Sequence, residues 1–366
     1  MIFDGKFFIA QRLILGGLLI GLWSGWVGAL PAQALPQGNP ITDPKALLRY
    51  ALPIDNPTVR KLQSSLEDVA TQLRANRRWG AAIADLKTAD RILESQTDKL
   101  LASVEASQQP QAQEILTALK TDVAEMRADV EAKQKFPTLE VRSRALDKVG
   151  NLEALMVKGF PFEVPEEYSN LPQLKGRATV LAKTSKGDVT IVLDGYSAPV
   201  TAGNFADLVQ RGFYNGLPFT RQEDSYVLQI GDPPGPEVGF VDPQTKKYRA
   251  VPLEILVTGD KVPTYGITLE EAGRYLDLPV LPFSSYGALA LARPNEDANG
   301  GSSQFFFFLF DSELTPAGAN LLDGRYAIFG FVTEGKEVLG QLKAGDKIES
   351  MQVVEGLENL VEPKTA

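Results

Sequence analysis

The hydrophobic period of the chain changes at residues 159–172, and this change limits the possible architectures more than any single motif does. Before it, apolar residues recur at spacings of three and four, as in helices with one buried face. After it, they fall in short alternating runs bounded by Gly, Pro and Asp, as in strands. The break itself, Gly159-Phe-Pro-Phe-Glu-Val-Pro165 followed by Leu171-Pro172, cannot continue a helix and reads as an extended linker or a docked strap. The expected fold class is therefore α+β and multidomain, an all-α helical bundle followed by a closed antiparallel β-barrel capped by helices.

In the helical part, Asn56-Pro57 supplies an N-cap and a proline at the first helical position, ahead of a stripe through Val59, Leu62, Leu66, Val69 and Leu73. A second stripe runs through Trp79, Ile83, Leu86, Leu93, Leu100 and Val104. Pro110 separates it from a third at Ile115, Leu119, Val123, Met126 and Val130, which Pro137 is expected to end. Leu146, Val149, Leu152 and Leu155 form a fourth. These stripes read as bundle core, and the charges between them as solvated faces.

The first 34 residues differ from both parts. Asp4, Lys6 and Arg12 precede an apolar run from Leu13 to Leu30, and Ala32-Gln33-Ala34 offers the small-x-small pattern of a signal peptidase site. An export signal is expected over 1–34, a retained anchor being the alternative, so membrane contact is expected only through this segment. The remaining boundaries are a bundle at 35–158, a linker at 159–176, a barrel domain at 177–355 and a tail at 356–366.

The chain contains no His and no Cys, which excludes Ser/His/Asp triads, thiol nucleophiles, disulfides and the usual zinc ligand sets. Residues 35–158 carry 18 basic and 17 acidic side chains, whereas 159–366 carry 17 and 28, a net of −11. So acidic a domain repels phosphate backbones, and nucleic acid is not an expected partner. Other candidate sites fail on spacing. Asn295, Asp297 and Asn299 imitate a calcium loop, but Phe306 stands where a bidentate Glu is needed. Gly300-Gly301-Ser302-Ser303 lacks the Lys of a phosphate loop, and Glu270-Glu271 are adjacent and cannot flank a glycosidic bond.

One ordered set remains. Phe219-Thr-Arg221, Tyr226-Val-Leu-Gln229-Ile-Gly231-Asp232, Ala290-Leu-Ala292, Ser303-Gln304-Phe305-Phe306 and Leu322-Asp323-Gly324-Arg325-Tyr326-Ala-Ile-Phe329-Gly330 resemble, in that order, the signature segments of the cyclophilins. On residue type alone Arg221 reads as a surface ion-pair partner and Phe305 to Phe308 as core. The resemblance implies an eight-stranded barrel and peptidyl-prolyl cis-trans isomerase activity without a cofactor or metal. Arg221 would be the catalytic donor. Tyr226, Val227, Phe306 and Leu322 would form the proline pocket, with Phe219, Ala292, Leu321 and Tyr326 beside it. Gln229 and the backbone at Arg293 would hold the substrate chain, and Gln304 would buttress them.

The whole layout is similar to the multidomain cyclophilins of the thylakoid lumen. This implies proline-containing polypeptides as partners, photosystem II proteins among them, and the thylakoid lumen or periplasm as location. The sequence departs from the family at Tyr226, Val227, Ile230, Leu321 and Tyr326, where Phe, Met, Gly, Trp and His are usual. A catalytically weak binding and assembly scaffold is the alternative these changes leave open. The segment from Asp232 to Gly287 is longer than usual, and a short helix is expected near Leu269 to Leu276.

Overall fold

The structure is a computed structural model that describes residues 41–74, 78–223, 226–310 and 320–363. The expected export segment lies outside the described residues. No described helix is long and apolar enough to cross a membrane.

Six helices build the N-terminal part: α1 (Pro44–Ala51), α2 (Pro57–Leu73), α3 (Trp79–Ser95), α4 (Thr97–Leu101), α5 (Gln109–Glu131) and α6 (Lys135–Ala154). Asn56 caps α2 as its sequence predicts, its side-chain oxygen accepting from the Thr58 and Val59 N–H groups at 3.0 Å each. The four stripes pack into one core that includes Leu62, Leu86, Leu119 and Val149.

Three details differ from the sequence reading. The second stripe is broken into α3 and α4 after Ser95. Pro137 does not end a helix but lies in the first turn of α6, where a missing N–H loses no intrahelical bond. The eight-residue α1 adds a helix that the stripes do not predict, because it is too short for one to recur.

The C-terminal part contains β1 (Gln173–Leu174), β2 (Arg177–Thr184), β3 (Gly187–Asp194), α7 (Pro199–Gln210), β4 (Arg221–Glu223), β5 (Val227–Ile230), β6 (Glu254–Ile255), β7 (Thr264–Tyr265), β8 (Ala288–Leu291), β9 (Phe305–Phe308), β10 (Ile328–Glu334), α8 (Lys336–Leu339), β11 (Ile348–Glu355) and β12 (Leu360–Val361). Eight strands form one antiparallel sheet in the order β11-β2-β3-β10-β8-β9-β5-β4. The sheet curls, and a Pro218–Lys347 bridge brings the segment ahead of β4 back against the start of β11. Its interior is filled by alternate residues and by α7. Phe205 of α7 meets Phe305 edge-on at 5.0 Å and Phe329 at 5.1 Å. The stretch past residue 355 also joins the fold, since β12 pairs with β1.

Two further attachments bear on the site. Leu47, Leu48 and Ala51 of α1 join the apolar cluster on the outer face of the sheet, with Ala288 and Phe331. Arg177 donates to the Leu48 carbonyl and pairs with Asp194 at 3.2 Å. The long segment between β5 and β8 is anchored by Glu254, which is 1% exposed. Its carboxylate accepts from the Val200 and Thr201 N–H groups at 3.0 and 2.9 Å, capping α7 from another part of the chain. The short helix expected within this segment is absent. Thr268 and Glu271 cap one another reciprocally, but Gly273 takes φ 72° and the Arg274 N–H returns to the Leu269 carbonyl at 2.7 Å, closing the turn after one winding.

Burial pushes the Glu254 carboxyl up to about 7, against the pull of the N–H groups it accepts from. Between the ordinary glutamate range and about 7 the folded chain therefore holds a proton that the unfolded chain has released. The stability from this group is fully present below that range and is lost as pH rises through about 7. Urea unfolding at about pH 5 and about pH 8 should show wild type losing on the order of 2 kcal/mol relative to Glu254→Gln. Parallel pH profiles for the two proteins would contradict the assignment.

Candidate active site

The outer face of β4, β5, β9 and β8 follows from register. Arg221 lies opposite Gln229 and Glu223 opposite Val227. Gln229 and Val227 lie in turn opposite Phe306 and Phe308, which face Ala290 and Ala288. Directly opposed residues of antiparallel strands share a face, so these side chains form one continuous surface. Leu228, Ile230, Phe305 and Phe307 alternate with them and point into the barrel.

The apolar part of this surface is compact. Val227 and Phe306, each 6% exposed, cluster with Phe308, Phe283 and the partly buried Ala292, Leu322 and Tyr326. The Phe283 ring is nearly parallel to that of Phe306 at 6.1 Å and edge-on to that of Phe308 at 5.3 Å. Tyr326 meets Phe306 edge-on at 5.5 Å, and Tyr226 meets Phe308 at 6.1 Å.

The polar part flanks it. Gln229 donates to Gln304 Oε1 at 2.7 Å, and Gln304 donates to Asp232 at 3.0 Å and to the Val238 carbonyl at 2.9 Å. Gly231, at φ 104°, lets β5 leave the sheet here, since a Cβ on it would lie 2.3 Å from the Ser303 carbonyl oxygen. Arg221 is 58% exposed along its side chain, and its Nε lies 2.9 Å from Glu223 Oε1. Arg293 donates to the Arg325 carbonyl at 2.8 Å and stacks over the Tyr326 ring at 5.2 Å. Asp323 accepts from the Phe283 N–H at 2.7 Å and the Asn320 N–H at 2.8 Å, tying the loop that carries Leu322 to the apolar floor. Burial pushes its carboxyl up to about 6 against those two donors.

Arg221, Gln229, Gln304, Val227, Phe306, Ala292, Leu322 and Tyr326 thus share one surface with Tyr226 and Arg293 at its edges. Two expected members do not join it. Phe219 is 2% exposed and faces the barrel interior against Phe307 at 6.5 Å, two residues before Arg221 but at the end of the strand where the chain turns in. Leu321 is 85% exposed and projects into solvent. Among the described residues no group of acidic side chains could hold a metal ion. Stationary hydrogen-bond donors beside an apolar cleft are the chemistry this surface offers.

The cyclophilin-type peptidyl-prolyl cis-trans isomerase model matches residues 179–359, and the model of a PsbQ-like domain of CYP38-like peptidyl-prolyl cis-trans isomerases matches residues 43–157. A Synechocystis protein named as a thylakoid lumen peptidyl-prolyl cis-trans isomerase is 61% identical over 328 residues, covering 90% of this chain and 86% of its own. The chain belongs to the cyclophilin-type peptidyl-prolyl cis-trans isomerases. Within this family, the chloroplastic isomerase CYP38 of Arabidopsis thaliana is 47% identical over 341 residues, covering 90% of this chain and 78% of its own. A solved Cryptosporidium parvum cyclophilin covers 48% of this chain and 99% of its own at 23% identity, with a TM-score of 0.37.

Three residues of the cyclophilin surface escaped the sequence reading. Glu223 stands two residues from Arg221 on one strand, and Phe308 two residues from Phe306, so alternation alone places each pair on one face. Phe283 comes from the lengthened segment, where no period announces it.

Gln304 is the residue that fastens Gln229. Gln304→Leu should lower kcat/KM for a proline peptide about tenfold, as expected for loss of one or two hydrogen bonds. The melting temperature should move little, and a collapse of stability with no separate effect on activity would show that Gln304 acts on the fold.

Proposed function

We propose that this chain is exported and catalyses prolyl cis/trans isomerisation in photosynthetic proteins, photosystem II subunits among them, as a folding and assembly factor. The location and client class follow the thylakoid-lumen and chloroplastic names of its relatives and the PsbQ-like match of its bundle. The observation that carries the catalytic reading is the placement of Arg221 directly opposite Gln229, on the face that holds Phe306.

The chemistry needs neither His nor Cys. The barrier is amide resonance, about 18–20 kcal/mol, and it is lost as the bond twists. The prolyl nitrogen then becomes pyramidal and gains a lone pair. A donor fixed there stabilises the twisted state more than either planar one, as catalysis requires. Arg221 suits the task because its guanidinium stays charged and presents several donors in a rigid fork. Bringing an isomerisation from tens of seconds to milliseconds takes about 5–6 kcal/mol. One positioned donor contributes about 3–4 kcal/mol, and the apolar cleft at Val227, Phe306, Leu322 and Tyr326 supplies the rest by holding the proline ring.

The alternative of a weak or inactive binding scaffold draws support from the smaller Val227 and the solvent-facing Leu321. Exchange NMR on an Xaa-Pro peptide separates the two. With residues 35–366, catalysis should be measurable and should fall about 10²- to 10³-fold in Arg221→Ala. Peptide shift changes without catalysed exchange in either protein would favour the scaffold.

A further inference from the structure

Glu223 is an acidic side chain on the reacting face. It lies on β4 directly opposite Val227 of the cleft floor, and Arg221 lies on the same strand opposite Gln229. Both Arg221 Nε and Nη2 donate to one oxygen, Glu223 Oε1, the Nε contact being 2.9 Å. The carboxylate therefore holds the guanidinium fork along the strand. In that state part of its donor capacity is spent on Glu223, and the local charge is close to neutral. The side chains are 58% and 44% exposed, so the pair is weak, screened by salt and open to exchange with a competing charge.

Among the described residues, Arg325 and Arg293 beside the cleft also have partners. Arg325 pairs with Glu270 at 2.6 Å, and Arg293 donates to the carbonyls of Arg325, Pro294 and Asn295. The domain around them carries 17 basic and 28 acidic side chains over residues 159–366. An acidic substrate segment would find the Arg221 fork already occupied and would be repelled by Glu223. A basic one would meet a carboxylate beside the proline cleft.

We infer that Glu223 selects substrates with Lys or Arg next to the proline, a substrate cation taking over the Glu223 carboxylate and freeing the Arg221 fork to donate to the twisted amide. Glu223 is then a specificity-determining residue that acts through Arg221, and the catalytic half of the inference rests on the role proposed for Arg221 above. The selection half concerns binding and stands on the position of Glu223 alone.

The test uses three proline peptides identical except for Lys, Gln or Glu beside the proline. Each is followed by exchange NMR for rate and by shift titration for affinity, in wild type, Glu223→Gln and Arg221→Ala. Wild type should favour the Lys over the Glu peptide by about two- to fivefold in kcat/KM, the ratio of one exposed charge contact, and added salt should reduce it. Glu223→Gln should bring the ratio near one, chiefly by raising the rate on the Gln and Glu peptides. Arg221→Ala should lose catalysis yet keep the affinity preference for Lys. A wild-type ratio near one, or a ratio unchanged in Glu223→Gln, overturns the inference. Full catalysis in Arg221→Ala would instead overturn the catalytic role of Arg221, while the titrations would still decide whether Glu223 selects.

Discussion

The strict alternation of side chains along β5 and β9 is the constraint on which the rest depends. One set, Leu228, Ile230, Phe305 and Phe307, is committed to the barrel interior, where Phe305 meets the α7 ring of Phe205. The other set, Val227, Gln229, Phe306 and Phe308, is thereby forced to the outside together. A slip of one residue between these strands would exchange the two sets and destroy both the core and the site. The floor of the site, Val227, Gln229, Phe306 and Phe308, is thus held in place by the core behind it.

Two attachments around the barrel bear on the same face. The bundle reaches it through α1, whose Leu47 and Leu48 pack into the outer apolar cluster while Arg49 pairs with Glu67 of α2 at 3.2 Å. The lengthened segment reaches it through Phe283, and its middle is held by the buried Glu254 at the start of α7. The strap after residue 158 packs elsewhere, with Tyr168 stacked on Tyr265 of the inserted segment at 5.2 Å against the interior core. Bundle, strap and inserted segment are therefore packed on the barrel, the bundle and the inserted segment reaching its outer face through Leu47, Leu48 and Phe283.

Much of this was legible in the sequence. The change of hydrophobic period separated the helical part from the strands, and the Asn56-Pro57 pair marked the start of α2. The ordered segments around Arg221, Gln229, Gln304 and Phe306 implied the barrel and its outer surface. What escaped had physical reasons. The helix α1 opens on Asp43-Pro44, a cap-and-proline pair like the one that marks α2, but its two turns are too short for a stripe to recur, and the turn at Gly273 depends on a left-handed residue that overrides an otherwise good capping pair. Glu254 reads as one more acid in an acidic domain until the fold brings it to the N–H groups of Val200 and Thr201. Phe219 shows the limit of carrying roles along a motif, because a residue two positions from Arg221 can belong to the core.

If the guanidinium of Arg221 stabilises the twisted prolyl amide beyond what it contributes to binding, a point charge in its place cannot substitute for it. The most direct measurement is peptide affinity and catalysed exchange in the same sample for Arg221→Lys, which keeps the charge and removes the rigid fork. Affinity should stay within about twofold of wild type while the exchange rate at saturation falls at least about tenfold. A parallel loss of affinity and rate, or an exchange rate unchanged by the substitution, would mean that the Arg221 fork does not act on the twisted amide.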